Sequence, residues 1–349
     1  MSVAVTQPEI RNNWTLTEIE NLYTLPFNDL LFKAHSIHRK YFDHNTVQIS
    51  TLLSIKTGRC PENCSYCPQS GHYKTGTDAE SLLSVNEVIK YAQKAKDSGA
   101  TRFCMGAAWR NPPKKDFPKV IEILKAVKEL ELETCMTLGM LSDEQTEQLK
   151  AAGLDYYNHN IDTSREYYEK VISTRDFQDR LDTIKRVRDN NINVCCGGIM
   201  GLGETQEDRY KFLQELANMP AHPTSVPINK LIAVAGTPLE KQQEIDTIDF
   251  IRMIACARIM MPKSYVRLSA GRKTISDECH ALCFFVGANS IHYGDKLFVT
   301  PLPTTEHDRE LFEKLGIKAE EFNSKKTSDE LISESESSGC CDHATEATS

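Results

Sequence analysis

Short stretches of β-forming residues alternate with amphipathic stretches along most of the chain. Ser84, which stands before VNEVIKYAQKAKDS, and Gly99 behind it are start and stop signals for one of the intervening helices. Ser142 with Gln145 three residues later is a capping-box pattern for another. Strand followed by helix, repeated eight times over about 250 residues, predicts an α/β fold of the (β/α)8 TIM-type barrel class, with a doubly wound sheet as the alternative. The eight predicted strands are residues 48–55, 101–107, 133–139, 154–162, 192–200, 225–234, 264–271 and 288–294.

The two ends of the chain lie outside this repeat. Residues 1–45 are expected to form an N-terminal helical extension, followed by the barrel in residues 46–322. Residues 323–349 read NSKKTSDELISESESSGCCDHATEATS and are too polar to pack, so we expect a disordered C-terminal tail. Cys340 and Cys341 belong to this tail, where nothing around them would fix the geometry of a metal site.

Composition and charge exclude several classes of function. With 349 residues, of which 40% are hydrophobic, the chain can bury one large core. The formal net charge of -8 argues against nucleic acid or an anionic membrane as the main partner. The N-terminal residues lack the features of a signal peptide, and no run of about 18 apolar residues occurs, so we expect a cytoplasmic protein. Twelve cysteines in such a chain point to metal binding or catalysis rather than to disulfides.

Three cysteines lie close together shortly after the first predicted strand. In RCPENCSYCPQ, Cys60, Cys64 and Cys67 are spaced three and then two residues apart, and the next cysteine, Cys104, is far away. A structural zinc site normally has four ligands, and a ferredoxin-type run supplies a fourth cysteine. Three thiolates on a 4Fe-4S cluster would leave one iron open to a small molecule. A structural metal knuckle is the alternative interpretation.

Further cysteines are predicted to face the interior of the barrel. Successive strand residues point to opposite faces, and the apolar residues mark the face that packs on the helices. This alternation places Cys104 and Cys135 inside the barrel. In INVCCGGIM it places Cys195 inside and leaves the adjacent Cys196 outside, and in SYVRLSAG it places Arg267 inside.

A polar interior needs an occupant. Buried polar and charged groups cost several kcal/mol unless they are paired or bound to a metal. Any single cysteine could instead be a small hydrophobic residue that fills the core. Three interior thiols together with an inward arginine favour a second buried cluster.

Seven segments of the chain carry a resemblance to a known enzyme family. They are CPENCSYCPQS, FCMGAAWR, YYNHNIDT, CCGGIMGLGET, SVPINKL, RIMMPKSYVRLSAGR and GANSIHYG. The CxxxCxxC run in the first is similar to the signature of radical S-adenosylmethionine (SAM) enzymes, and the stretch from about Trp14 to Phe322 resembles the biotin synthase family. The resemblance implies a radical SAM barrel, a homodimer, and conversion of dethiobiotin to biotin by insertion of sulfur between two saturated carbons.

The resemblance assigns both groups of cysteines to clusters. It implies a 4Fe-4S cluster whose fourth iron binds the amino and carboxylate groups of SAM, so that one electron cleaves SAM to methionine and a 5′-deoxyadenosyl radical. It also implies a 2Fe-2S cluster that serves as the sulfur donor. Because arginine is normally protonated, a buried countercharge is the alternative role for Arg267. The implied ligands are Cys60, Cys64 and Cys67 for the first cluster and Cys104, Cys135, Cys195 and Arg267 for the second.

Contacts to SAM and to the substrate are implied as well. Asn158, Asn160 and Asp162 alternate along one face of the fourth predicted strand, although turn asparagines that close a strand would look the same. The resemblance implies that Asn160 and Asp162 contact the SAM ribose, and that Asn160 and Asn229 face the ureido ring of the substrate. The glycines of 197–204 could by themselves form only a turn or a phosphate loop. The remaining residues implied to contact SAM are Tyr66, through its backbone, Arg180, Ile199 and Ile232.

Two other functions stay open at this point. A different radical SAM enzyme on the same barrel, such as a hydrogenase-maturation relative, would not consume dethiobiotin. A non-catalytic iron-sulfur carrier would need no SAM pocket. The resemblance further implies an external electron donor of the flavodoxin or ferredoxin type.

Overall fold

Eight parallel strand positions close into a barrel in the computed structural model of the chain, which describes residues 10–294 and 296–321. The barrel strands are β1 (Thr46–Lys56), β2 (Arg102–Ala107), β3 (Glu133–Thr137), β4 (Tyr156–Asn158), β5 (Asn193–Cys195), β6 (Gly198–Met200), β7 (Ser225–Lys230), β8 (Tyr265–Leu268) and β9 (Ala288–His292). β5 and β6 share one position, and β1 pairs with both β2 and β9, which closes the sheet. The (β/α)8 prediction is confirmed, and an open doubly wound sheet is excluded.

Helices precede the barrel and connect its strands within the described residues. Each strand carries its side chains alternately inward and outward, so the helices cover the outward face. A β10–β11 hairpin follows β9, made of β10 (Lys296–Leu297) and β11 (Thr300–Pro301), and β12 (Lys318–Ala319) pairs with β1. The helices are α1 (Leu16–Tyr23), α2 (Phe27–Tyr41), α3 (Val85–Asp97), α4 (Phe117–Lys128), α5 (Asp143–Ala151), α6 (Arg165–Val171), α7 (Phe177–Asp189), α8 (Gln206–Ala217), α9 (Thr247–Met260), α10 (Asp277–Phe285) and α11 (Thr305–Leu315).

The helix start signals in the sequence act as predicted. The Ser84 hydroxyl accepts from the backbone N–H of Glu87, and the Glu87 carboxylate accepts from the backbone N–H of Ser84, which closes a capping box at α3. Ser142 and Gln145 form the same reciprocal pair at α5. Each capping interaction of this kind stabilises a helix by roughly 1 kcal/mol, because it satisfies backbone donors that have no partner within the helix.

The two faces of the barrel wall differ as the alternation predicts. Phe103 and Met105 are fully buried in the core between the strands and the helices. Cys104 and Cys135, which are paired across β2 and β3, instead lie inside the barrel with Tyr156. Inward and outward side chains therefore form two separate buried groups, and only the inner one carries thiols next to the barrel axis.

The predicted strand of residues 192–200 is interrupted, so the prediction of one continuous strand was wrong. A Cβ atom on Gly197 would lie 1.9 Å from the carbonyl oxygen of Pro227, and one on Gly198 would lie 2.4 Å from the carbonyl oxygen of Asp162. The backbone here approaches two neighbouring segments more closely than any side chain permits. The two glycines are thus explained by close packing of backbone, and no phosphate loop is needed to account for them.

The N-terminal part of the described chain packs on the outside of the barrel. α1 contacts α8 and α9, and α2 lies along α9. No helix among the described residues is long and apolar enough to cross a membrane. The tail predicted for residues 323–349, with Cys340 and Cys341, lies outside the described residues.

Candidate active site

A cavity of about 280 Å³ lies at the carboxyl ends of the barrel strands. In barrels of this class the loops that follow the strands build the active site at this end. Cys195 does not line the cavity and is buried directly behind its wall, with 1% of its surface exposed. The other predicted site residues all line it, namely Cys60, Cys64, Tyr66, Cys67, Cys104, Cys135, Asn160, Asp162, Arg180, Ile199, Asn229, Ile232 and Arg267.

The loop after β1 carries the three closely spaced cysteines. Its two ends are joined by backbone hydrogen bonds, from Cys60 N–H to the Gln69 carbonyl at 2.9 Å and from Gly71 N–H to the Cys60 carbonyl at 2.7 Å. Within the loop, the N–H of Cys67 donates to the carbonyl of Cys64 at 2.9 Å. The loop is therefore held by its own backbone, which leaves three thiols on the cavity wall.

The three thiols of this loop are the side chains that could serve as ligands of a metal centre. The described residues contain no group of three His, Cys, Asp or Glu side chains placed to hold one metal ion. Burial raises the pKa of Cys60 and Cys64, and it raises the pKa of Cys67 to about 12. Buried neutral thiols become thiolates when a cationic metal centre replaces their protons.

The inner thiols form a second group, deeper in the barrel. Their hydrogen bonds with Cys135 lower the pKa of Cys104 well below its usual range and that of Cys195 to about 5, while burial opposes both shifts. The same two hydrogen bonds, with burial, raise the pKa of Cys135. Arg267 adds positive charge that favours the Cys104 and Cys195 thiolates. An anionic sulfur site beside a guanidinium suits a metal cluster rather than apolar packing.

Arg267 is held rigidly from two sides. Its Nε donates to Ser290 Oγ at 2.9 Å, and its Nη2 donates to Gln48 Oε1 at 3.0 Å. Ser290 in turn donates to Gln48 at 3.1 Å. Arg267 has 1% of its surface exposed. Its guanidinium donates to protein acceptors, and the residue also lines the cavity. Both roles considered for it, ligand and countercharge, are compatible with this position.

Asp162 is the centre of a buried polar group at the end of β4. Its Oδ2 accepts from Arg180 Nη2 at 2.6 Å and from the Tyr66 hydroxyl at 3.0 Å. The residue has φ of 68°, a left-handed conformation that is uncommon outside glycine, and it forms a bridge to Gly198. Burial raises the pKa of Tyr66 well above its usual value, so this phenol remains a hydrogen-bond donor. One oxygen of Asp162 is thus engaged by protein, which leaves Oδ1 to face the cavity.

The asparagines connect the inner thiols to the backbone between β5 and β6. Asn158 donates from Nδ2 to Cys195 Sγ at 3.2 Å and to Asn160 Oδ1 at 3.3 Å. Asn160 Oδ1 also accepts from Gly197 N–H at 3.1 Å. These contacts extend beyond the end of the strand, so the asparagines are more than turn residues. They fix the direction in which the Asn160 amide meets the cavity.

Asn229 is more constrained than the sequence suggested. Its Nδ2 donates to the Gly198 carbonyl and its Oδ1 accepts from Ala270 N–H, both at 3.0 Å. The side chain is buried and joins β6 to the segment after β8 while one surface lines the cavity. Ile199 and Ile232 add apolar surface to the same part of the cavity wall, as expected for residues that contact a flat ring.

Several cavity residues were not identified from the sequence. Arg175 lies 3.9 Å from Cys64 Sγ and 3.8 Å from the buried carboxylate of Glu62, but it sits in an irregular loop where periodicity gives no signal. Ser269 Oγ and His292 Nδ1 are 2.6 Å apart on the cavity wall. Ser269 lies two residues after Arg267 and so shares its inward face, and the same alternation applied to ANSIHYG would have placed His292 inward too.

Comparisons with protein families divide the chain in two. Residues 54–216 match the Radical SAM superfamily, and residues 227–318 match the Biotin and Thiamin Synthesis associated domain. The first match begins at the end of β1 and contains the three-cysteine loop and β2 to β6. The second contains most of β7 and the remaining barrel strands, including the one that carries Arg267.

Curated relatives are similar over nearly the whole chain, and solved structures share its fold. A biotin synthase from Hahella chejuensis is 60% identical over 315 residues, covering 90% of this chain and 89% of that protein. One from Thioalkalivibrio sulfidiphilus is 60% identical, covering 91% and 93%. Crystal structures of methylornithine synthase (TM-score 0.75, 19% identity, 88% and 94% covered) and of the FeFe-hydrogenase maturase HydG from Carboxydothermus hydrogenoformans (0.76, 17%, 88% and 76%) match in fold alone. The chain therefore belongs to the biotin synthase family of radical SAM enzymes.

Proposed function

We propose that this chain converts dethiobiotin to biotin by inserting a sulfur atom between two saturated carbons. Membership of the biotin synthase family makes it a radical SAM enzyme that inserts sulfur. The observation that carries the finer proposal is the arrangement of one cavity. Three thiols lie on the loop after β1, three thiols and a guanidinium lie deeper in the barrel, and amide and carboxylate groups lie between them.

The outer thiols are proposed to hold a 4Fe-4S cluster. Cys60, Cys64 and Cys67 would be its ligands, and the cluster, when bound, would supply the electron that cleaves SAM into methionine and a 5′-deoxyadenosyl radical. Arg175, 3.9 Å from Cys64 Sγ, provides positive charge beside an anionic site. The closed backbone of the loop would keep the three sulfur atoms in place while the open side faces the cavity.

The inner thiols are proposed to hold a 2Fe-2S cluster. Cys104, Cys135, Cys195 and Arg267 would be its ligands, and this cluster, when bound, would supply the sulfur atom. Asn158 contributes a donor to Cys195, and the Gln48 and Ser290 contacts fix the orientation of Arg267. These residues restrict the site to one geometry, which is how a protein sets the properties of an iron-sulfur centre.

The polar groups between the two thiol sites are proposed to bind SAM and substrate. Oδ1 of Asp162 would accept from the ribose hydroxyls, and the contacts of Oδ2 with Arg180 and Tyr66 support this role because they leave the other oxygen free for SAM. Asn160 would meet both the ribose and the ureido ring, and Asn229, held by backbone on both ends of its amide, would face that ring with its exposed surface. The adenine would pack on Ile199 and Ile232.

The test is a single-turnover reaction with isotopically labelled sulfide. The inner cluster is rebuilt in the protein with labelled sulfide, and the enzyme is then given SAM, a reductant and dethiobiotin without oxygen. Mass spectrometry of the product should find the label in biotin in proportion to the 2Fe-2S content. Unlabelled biotin from a fully labelled cluster would contradict the donor role, and no biotin from a protein that still cleaves SAM would favour a different radical SAM substrate.

Several further expectations belong to the same proposal. We propose a homodimer, a flavodoxin- or ferredoxin-like electron donor and a cytoplasmic location, as the resemblance and the sequence indicate. The division into a helical extension (1–45), a barrel (46–322) and a polar tail (323–349) is proposed on the same basis. α1 and α2, which precede β1, support the first boundary.

A further inference from the structure

One histidine of the cavity wall has a nitrogen with no partner. His292 ends β9, 8% of its surface is exposed, and it lines the cavity together with Cys104 and Arg267. Its Nδ1 is 2.6 Å from Ser269 Oγ. Its Nε2 is buried and forms no hydrogen bond to any of the described residues. A buried polar nitrogen without a partner costs free energy, so an orphan of this kind at a cavity indicates a group that occupies the space beside it.

The sulfur site is what lies beside this nitrogen. His292 and Cys104 both line the cavity. The strand register agrees, because Ser50 of β1 pairs with His292 while Leu52 of the same strand pairs with Cys104. His292 therefore approaches the inner thiols from the β9 side of the barrel.

The opposite side of the thiol group already has a nitrogen donor. Asn158 donates from Nδ2 to Cys195 Sγ at 3.2 Å, so one flanking sulfur already has a nitrogen donor from its own strand neighbour. His292 lies on β9, which is separated by β1 from the strand of Cys104, the other flanking cysteine. The thiol between them, Cys135, interacts with both of these cysteines.

The position of the imidazole hydrogen follows from these neighbours. The Ser269 hydroxyl can donate to Nδ1 or accept from it, so it tolerates either tautomer. A nitrogen that faces anionic sulfur is favourable only if it carries the hydrogen, because two lone pairs would repel. Ser269 then donates to Nδ1, and Nε2–H is directed at sulfur.

We propose that His292 is a positioning residue of the inner cluster site, whose Nε2–H donates a hydrogen bond to Cys104 sulfur or to a sulfide of the 2Fe-2S cluster. This inference rests on the proposed function, since it assumes a cluster on the inner thiols. A hydrogen bond to sulfur stabilises the more negative, reduced form of a cluster and therefore raises its reduction potential. Ser269 orients the ring, as the partner on the other nitrogen of a histidine commonly does.

The test compares His292→Phe, which keeps a ring but has no donor, with His292→Gln, whose amide nitrogen reaches the place of Nε2. His280→Phe is the matched control, because His280 is also buried with Nδ1 bonded and Nε2 unpartnered but lies on α10 and not on the cavity wall. The reduction potential of the reconstituted 2Fe-2S cluster is measured by optical titration. We expect a more negative reduction potential in His292→Phe than in the unchanged protein. The reduction potentials of His292→Gln and His280→Phe should be close to that of the unchanged protein.

A second measurement keeps the result decisive if His292→Phe assembles the cluster poorly. Pulsed electron paramagnetic resonance of the unchanged protein, labelled with ¹⁵N-histidine and reduced, should show only weak histidine coupling and an exchangeable proton near sulfur. Strong nitrogen coupling would mean that Nε2 binds iron directly and would overturn the proposal, as would equal potentials in His292→Phe and His280→Phe. Failure of the unchanged protein to form any 2Fe-2S cluster would instead contradict the proposed function.

Discussion

Arg180 and Asp162 form a buried ion pair at the mouth of the cavity, with Nη2 and Oδ2 separated by 2.6 Å. Burial works against the charge on Arg180, but Asp162, together with Tyr168, Tyr66 and Cys64, outweighs it and raises the pKa of the arginine. The pair connects the loop of the outer thiols to β4 through Tyr66, which shares the same carboxylate oxygen. SAM binding and the stability of this region should therefore depend on the same residue.

We predict that Asp162→Ala weakens SAM binding and lowers the stability of the protein. Loss of an acceptor for buried hydroxyls costs about 1 to 3 kcal/mol of SAM affinity, which is roughly 5- to 150-fold. Leaving Arg180 unpaired lowers the free energy of unfolding by about 3 to 5 kcal/mol. Equilibrium binding of SAM and urea unfolding measure the two effects. Asp189→Ala, which breaks the exposed pair with Lys185, is the control and should change stability by about 0.5 kcal/mol or less. Unchanged SAM affinity in Asp162→Ala would remove this residue from the site.

Cys64→Ala is expected to abolish SAM cleavage while the barrel still folds. The residue is 7% exposed on a loop whose backbone hydrogen bonds do not involve its thiol, so the packing loss should be about 1 kcal/mol. Production of 5′-deoxyadenosine under reducing conditions is the readout. Cys256→Ala removes a fully buried thiol from α9, away from the cavity, and should retain cleavage. Cleavage by Cys64→Ala at the normal rate would show that the three-cysteine loop does not hold the radical-generating cluster.

Cys135→Ala distinguishes the role of the inner thiols from that of the outer thiols. Cys135 lies on β3, whereas the outer thiols lie on the loop after β1. SAM binding and cleavage should therefore persist in this variant, but no biotin should form. Cys196, which directly follows Cys195 at the end of β5, supplies the control. Cys196 faces the helices, so Cys196→Ala removes a thiol from the outer face of the barrel wall. The biotin yield of Cys196→Ala should fall only in proportion to any loss of folded protein. If Cys135→Ala makes biotin as well as Cys196→Ala does, the inner thiols are only core residues.

Gly197→Ala should prevent correct folding of the region between β5 and β6. The added Cβ would stand 1.9 Å from the Pro227 carbonyl oxygen, and backbone cannot move away as a flexible side chain can. Gly99→Ala is the control, because its φ of 87° strains a new side chain but no atom of the described residues lies within 4 Å of the added Cβ. We expect the control to lose about 1 kcal/mol and Gly197→Ala to lose several times more in thermal unfolding. Similar losses in the two variants would contradict the close approach.

Stability should fall as the pH is lowered below 6.5. Burial, with Arg258 nearby, lowers the pKa of His38 to about 3, and burial with Arg272 lowers that of His280 to about 4. Between these values and 6.5 the unfolded chain binds protons that the folded chain does not, so each histidine lowers the free energy of unfolding by about 1.4 kcal/mol per pH unit.

Urea unfolding of the cluster-free protein between pH 7 and pH 5 measures this slope. His38→Leu should make the slope shallower, whereas a change at the exposed His72 to Leu should leave it as it is. A slope that is equal in the two variants would show that His38 is protonated in the folded state.

Much of the fold could be predicted because its signals are local. The strand and helix alternation depends on side chains that follow one another in sequence, and the capping pairs at Ser84 and Ser142 act over three residues. The inward direction of Cys104, Cys135 and Cys195 follows from the period of two along a strand, which one residue of register would reverse. The break at Gly197 could not be predicted in this way, since it arises from a carbonyl group 30 residues later in the chain.

The sequence by itself determined which chemical groups the barrel would carry and on which face of each strand. Only the tertiary structure decided which of them meet. Arg175 reaches Cys64, and His292 comes to the edge of the thiol site with one nitrogen bound by Ser269. One carboxylate oxygen of Asp162 accepts hydrogen bonds from Arg180 and Tyr66. Local periodicity fixes a side chain's direction, but the distance between two side chains depends on how distant strands are paired and closed into a barrel.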